Sequence, residues 1–343
     1  MKSLRVLMVT CEWPAPGVNL TAHFIKRQAE FLMAAGVDVE VFPFKGAKNP
    51  LNYLKAWWQV QRKLRQNSYD LIHAQFGQSG LMGLPKRLPM IVTFRGSDLL
   101  GTISDRTGRH LLASTIHQFL SRFVAARAEA VILVSEHMKS QLNPSIDTHI
   151  IPSGIDFDFF HPTEKNLARQ QLGIPPDEKL ILFVGRPTQA RKRSYLAEQA
   201  VEVLNRSTPA KLIVAWGVPH ADIPLYMSAC DALVFTSMQE GSPNVVKEAL
   251  ACNLPIVSVQ VGDVPSRIGG IEGCEVCEDE RPETIAAALA RVLQRDARIK
   301  GRETVKCLDE NVTTAKVLNI YRSVLAHKTE PATARAMRRA SAG

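Results

Sequence analysis

Two short stretches in the second half of the sequence carry residue types that could do chemistry. The first runs Glu240-Gly241-Ser242-Pro243-Asn244-Val245-Val246-Lys247-Glu248. Ser242 has the chemistry of a helix N-cap and Pro243 suits the first helical position, so a helix is expected over 243–251. The amides of Asn244 and Val245 would then point out of the helix start, where the peptide dipoles favour an anion such as a phosphate. Glu240 precedes that helix and Glu248 lies about two turns beyond the loop, so both carboxylates can face one space and accept paired hydroxyl hydrogen bonds. A surface loop leading into an ordinary amphipathic helix would use the same residues. The second stretch, Phe183-Val184-Gly185-Arg186-Pro187-Thr188-Gln189-Ala190-Arg191-Lys192-Arg193, places four cations within eight residues. Such a cluster repels itself unless solvent or an anion neutralises it, and a diphosphate has the charge to do so. A solvated basic turn is the plain alternative.

These stretches need strands and helices to hold them. Short apolar runs alternate with amphipathic stretches, the pattern of parallel βα units. Strands are expected over 4–10, 37–42, 71–74, 90–94, 130–134 and 149–151, with helices over 21–35, 51–66 and 110–128. Ser135 is placed to cap a further helix. Turn residues across 152–162 break the rhythm and read as a link between domains. A second series follows, with strands over 180–184, 211–215, 232–236 and 255–259. Helices are expected over 195–205, 224–229, 243–251 and 282–294. Two doubly wound α/β domains facing each other across a cleft are predicted, and ligands of such sheets sit outside the carboxyl ends of the strands. Cys11-Glu12-Trp13-Pro14-Ala15-Pro16-Gly17 follows the first strand, so no G-x-G-x-x-G is there to hold a dinucleotide.

Bulk properties narrow the classes. At 343 residues the chain is long for one core and suits two domains. Hydrophobic residues at 45% and charged residues at 22% are those of a globular protein. Six scattered cysteines argue against a disulfide framework, and Cys274-Glu275-Val276-Cys277 lacks the second ligand pair of a zinc site. The net charge of +9 points to an anionic partner: nucleotide phosphates, nucleic acid or an anionic membrane surface. Dispersed cations and 6% aromatics disfavour nucleic acid. No secretory signal or 20-residue apolar span is evident, so a cytoplasmic location is expected.

The stretch beginning at Glu240 resembles the E-x7-E signature of the GT4 glycosyltransferases, retaining enzymes with the GT-B fold. The likeness extends to Pro224–Ser237 before it, and to Pro255-Ile256-Val257-Ser258 and Val261-Gly262-Asp263-Val264-Pro265 after it. Pro152-Ser153-Gly154-Ile155-Asp156, with Phe160 and Pro162, resembles the family's interdomain segment, with Ser153 where Asn is usual. The resemblance implies an α/β GT-B fold: two facing doubly wound Rossmann-like domains with a central cleft. An acceptor-side domain would span 1–152 and a nucleotide-sugar-binding domain 153–312. A final helix over 313–326 would return to the first domain, ahead of a flexible basic tail over 327–343.

For the site, the resemblance implies that Glu240 contacts the transferred sugar and Glu248 the ribose. Arg186 and Lys192 would hold the donor diphosphate and, with Glu240, serve catalysis. Ser242, Pro243, Asn244 and Val245 complete the donor site, joined by Gly17 from a glycine loop near the phosphates. On the acceptor side stand Asn19, Arg95, Asp98 and His110; Arg95 occupies a position where the family often has His. His23 and His73 lie in the same half. Neither metal nor other cofactor is implied, and the donor is a UDP- or GDP-sugar. The acceptor would be a saccharide or lipid-linked saccharide of cell-envelope or exopolysaccharide synthesis. The basic charge and tail would allow peripheral contact with the inner face of the cell membrane. A sugar-nucleotide epimerase sharing the GT-B architecture is the alternative, and the pairing of both glutamates with Arg186 and Lys192 favours transfer.

Overall fold

The structure is a computed structural model that describes residues 3–14, 22–46 and 49–329. Its first sheet has six parallel strands: β1 (Arg5–Thr10), β2 (Asp38–Pro43), β3 (Leu71–Gln75), β4 (Met90–Phe94), β5 (Ala130–Leu133) and β6 (Thr148–Ile150). They lie in the order β2-β1-β3-β4-β5-β6. Val6, Leu7, Met8 and Val9 of β1 are all buried, as an interior parallel strand covered on both faces requires. One face is covered by helices Pro50–Gln66, Gly77–Gly80 and Leu112–Ala125. The other is covered by His23–Ala34 and by the last helix, Glu310–Thr329.

A second parallel sheet contains β7 (Leu180–Val184), β8 (Lys211–Ala215), β9 (Ala232–Phe235), β10 (Ile256–Ser258) and β11 (Glu275–Val276). Their order is β11-β10-β9-β7-β8. In each sheet the chain reverses its winding once, between β1 and β3 and between β7 and β9. A crevice opens at such a switch, outside the carboxyl ends of the strands.

Several element boundaries shift from expectation. The helix expected over 110–128 is Leu112–Ala125, and Ser135 heads a short 3-10 turn, Glu136–Gln141, without capping it. Its hydroxyl lies 2.9 Å from His137 Nδ1 instead. Helix Lys165–Leu172 was not expected. Its signals are local: Glu164 accepts from the Leu167 amide at 2.7 Å, and Gly173 ends it with φ 67°.

Contacts between the halves are polar and buried. Arg27 of helix His23–Ala34 donates through Nε to Glu310 at 3.0 Å and through Nη2 to the Gly154 carbonyl at 2.7 Å. Ile155 and Asp309 form a parallel bridge, so the two chain crossings lie side by side. His73 is buried, with Nδ1 2.6 Å from the Tyr321 hydroxyl and Nε2 2.8 Å from Thr93 Oγ1. Burial, then the nearby Arg95, pushes its pKa down to about 3, so it is a neutral strut between β3 and the last helix.

Candidate active site

The two switch points face a cleft of about 590 Å³. On one side, β7 runs into Gly185, whose φ of 152° is open to glycine and turns the chain into the basic segment. The four cations of that segment separate into three roles. Arg193 is buried and structural: it donates to the Thr236 carbonyl at 2.7 Å and forms a two-pronged pair with Glu280 at 2.5 and 2.7 Å. Held by it, Lys192 places Nζ 2.7 Å from Glu240 Oε1, and Arg191 Nη1 meets the same oxygen at 2.5 Å. Arg186 is exposed at the cleft rim, its guanidinium 5.5 Å over the Trp216 ring.

Burial raises the Glu240 pKa, but Lys192 and Arg191 outweigh it, and the group ends below its ordinary range. Burial lowers the Lys192 pKa, with Glu240 opposing. The carboxylate is therefore ionised, and two cations on one anion leave a net positive charge beside the cleft. Arg191 belongs to this group although the sequence singled out only Arg186 and Lys192. Its proximity to Glu240 could not be read from a separation of forty-nine positions.

The helix after Glu240 starts differently from expectation. It spans Asn244–Ala251 with Pro243 as the capping residue, in extended conformation and with no side-chain cap. The Ser242 hydroxyl does not cap it, because it donates to Asp263 Oδ2 at 2.7 Å. A carboxylate is a stronger acceptor, and one also held by Arg267 is fixed in place. The outward amides of Asn244 and Val245 are thus left without a side-chain partner at the cleft wall. Glu248 also lines the cleft, and its carboxylate makes no hydrogen bond to another described residue. Burial raises its pKa, with Arg27, Lys247 and Lys192 opposing. The neighbouring Lys247 is wholly buried, donates to the Ser153 carbonyl at 2.9 Å, and is pushed by burial down to about 7.

From the first sheet, Arg95 reaches into the cleft. It donates to Gln75 Oε1 at 2.6 and 3.0 Å, to Gln28 Oε1 at 3.0 Å and to Ser153 Oγ at 2.7 Å. Arg95 and Ser153, the two positions that depart from the family's usual residues, are therefore in contact. Asp98 and His110 do not line the cleft. Asp98 is buried and accepts from the amides of Gly96 at 2.9 Å and Arg95 at 3.2 Å, so it shapes the loop after β4. His110 is exposed and forms an antiparallel bridge with Ile103. Gly17 and Asn19 lie outside the described residues. Glu12, Arg27, Trp216 and His220 line the cleft without having been expected there.

The domains touch across the cleft. His23 and His220 stack with centroids 4.1 Å apart, and Phe159 stacks on His220 at 5.0 Å. Deeper, Gly241 comes so close to the loop after β4 that a Cβ there would lie 3.0 Å from the Arg95 carbonyl. Among the described residues no group of three or more His, Cys, Asp or Glu could hold a metal ion. Cys274 and Cys277 flank β11 as thiols whose pKa burial raises to about 11.

Strand order in both sheets and the cleft between them are those of the GT-B class. Residues 5–159 match the family described as Glycosyltransferase Family 4, and residues 180–295 match Glycosyl transferases group 1. The chain belongs to the GT4 family of GT-B glycosyltransferases. It is 30% identical over 224 residues, 58% of this chain, to TuaC of Bacillus subtilis, a glycosyltransferase named for teichuronic acid biosynthesis. The match covers 55% of TuaC, so the chain aligns with little more than half of that relative's length. Among solved structures, sucrose-phosphate synthase of Thermosynechococcus elongatus superposes with a TM-score of 0.81 at 20% identity, covering 94% of this chain and 100% of that one. Anabaena Alr3699/HepE in complex with UDP superposes with a TM-score of 0.68 at 16% identity, covering 93% and 100%.

Proposed function

We propose that this protein is a retaining glycosyltransferase. It moves a hexose-type sugar from a nucleoside diphosphate sugar to a saccharide or lipid-linked saccharide acceptor, in cell-envelope or exopolysaccharide synthesis. The observation that carries the reading is the ionised Glu240 held by Lys192 and Arg191 next to an uncapped helix start. As the bond between the anomeric carbon and the diphosphate breaks, negative charge grows on the leaving oxygen. Lys192 and the amides of Asn244 and Val245 would stabilise it without reorganising, joined by Arg186 from the exposed rim of the cleft. Glu240 keeps Lys192 and Arg191 in register and offers its second oxygen to the sugar hydroxyls. The acceptor hydroxyl attacks from the face the diphosphate leaves, and its proton passes to a phosphate oxygen of the leaving group. UDP as carrier is supported by the likeness to the UDP-bound HepE fold. A lipid-linked acceptor would be met at the inner surface of the membrane, to which the net charge of +9 is suited; no helix among the described residues is long and apolar enough to cross a membrane.

Protein cations offset the diphosphate charge in this mechanism, so transfer is expected to survive EDTA, and an α-linked donor is expected to give an α-linked product. Product NMR with a matched donor and acceptor checks the stereochemistry. A β-linked product, or activity lost on chelation and restored by magnesium or manganese, would sink the mechanism. Formation of an altered sugar without any acceptor would point to an epimerase.

The two glutamates should separate in calorimetry with UDP and GDP. Glu248→Gln is expected to weaken binding of the free nucleotide, because its partner is the ribose. Glu240→Gln releases Lys192 and Arg191 from their carboxylate, so nucleotide binding should be kept or tightened while turnover falls. The opposite pattern would reverse the two assignments.

A further inference from the structure

Two helices on one face of the first sheet carry large apolar side chains in solvent. Helix Leu112–Ala125 buries Ser114, Ser121, Val124 and Ala125 against the protein. It can come that close because Gly77 and Gly80 oppose it: a Cβ at Gly77 would fall 2.1 Å from Ser121 Oγ, and one at Gly80 would fall 2.3 Å from Val124 Cγ1. The large apolar side chains of the helix point outward, with Ile116 62% and Phe119 66% exposed and Phe123 beside them. Helix Pro50–Gln66, on the same face of the sheet, presents Leu51, Leu54 and Trp58 in the same way. Rows of this kind on two helices that cover the same face of the sheet, with the Gly77–Gly83 segment in contact with each, are more than the scattered apolar residues of an ordinary surface.

The charge around them is one-sided. Neither helix carries an acidic residue, against Lys55, Arg62, Lys63 and Arg65 on Pro50–Gln66 and Arg122 on Leu112–Ala125, of which Lys63 is paired with Glu40. At the edges of the apolar rows, Arg62 lies 5.6 Å over the Trp58 ring and Arg127 over that of Phe123. An apolar strip edged by aromatic–arginine pairs matches the boundary between acyl chains and anionic headgroups. A second copy of the chain would bring like charge against like, which disfavours self-association through this face.

We propose that the face formed by helices Pro50–Gln66 and Leu112–Ala125 docks on an anionic lipid bilayer, with Ile116, Phe119 and Trp58 entering the interface. The inference does not rest on the transferase reading, since it uses none of the cleft residues. The test is flotation of the full chain with vesicles of equal parts phosphatidylglycerol and phosphatidylcholine, and with phosphatidylcholine vesicles alone. Wild type is expected to partition at least about tenfold more strongly to the anionic vesicles, and to lose that preference as salt is raised. The exposed pair Ile116→Ser with Phe119→Ser is expected to weaken that partition about tenfold, leaving the thermal midpoint and UDP binding unchanged. The proposal is overturned if wild type ignores the anionic vesicles, or if the double variant floats as wild type does. It is equally overturned if wild type is a dimer that this variant makes monomeric, because the face would then belong to a second copy.

Discussion

Lys192→Ala is expected to lower kcat/KM by about 2–4 kcal/mol, thirtyfold or more, with little loss of fold stability. The size follows from where the ammonium sits. Its Nζ is 2.7 Å from Glu240, at the end of a turn fixed by the buried Arg193, so its position is set before any ligand arrives. Removing it takes away a preorganised cation and leaves Glu240 held by Arg191 alone. Arg186→Ala is expected to cost less, because the guanidinium is exposed over Trp216 and must give up solvent to act. Steady-state kinetics at saturating donor, with thermal melts to show that the variants are folded, check both. Wild-type turnover in the double variant Arg186→Ala, Lys192→Ala would remove this cluster from the reaction.

Glu310→Leu is expected to destabilise the protein by about 3–5 kcal/mol, the cost of leaving one member of a buried ion pair alone. Arg27 and Glu310 are both shielded from solvent, and Arg27 also donates to the Gly154 carbonyl. Gly154 cannot be enlarged to fill the space, since a Cβ there would lie 2.6 Å from Glu310 Oε2. Burial raises the Glu310 pKa, with Arg27 as the main opposing influence and Arg95 and Lys247 adding to it, so losing Arg27 removes the chief support of the carboxylate. Urea unfolding of the single variant measures the loss. The double variant Arg27→Met, Glu310→Leu should recover much of it, because no unpaired charge remains. A single-variant loss under about 1 kcal/mol would show that water reaches the pair.

The sequence made the βα alternation legible because strands such as β1 and β7 are continuous apolar runs bounded by turn residues. The basic segment and the two glutamates were legible because their spacing is local. What escaped depends on partners distant in the chain. Ser242 has every local mark of a cap, yet Asp263 takes its hydroxyl. Lys247 looks like a solvated position on an amphipathic helix, but the Ser153 carbonyl claims it. The apolar periodicity of helix Leu112–Ala125 would ordinarily assign Ile116 and Phe119 to the core. Only the placement of Gly77 and Gly80 opposite Ser121 and Val124 reverses its facing. Arg95 could be seen as a departure from the family, but not that Ser153, the other departure, would be its acceptor.

The last helix bears on how the chain is made. Val317, Ile320, Tyr321 and Val324 complete the core that Ile25, Ala29 and Leu32 begin on the outer face of the first sheet. The half that leaves the ribosome first is therefore the last to close. While the second sheet is being synthesised, roughly ten to thirty seconds at ordinary elongation rates, the first carries an uncovered apolar face. A nascent chain stalled before residue 317 would hold that face open and offer it to chaperones, even with all six strands of the first sheet already emerged.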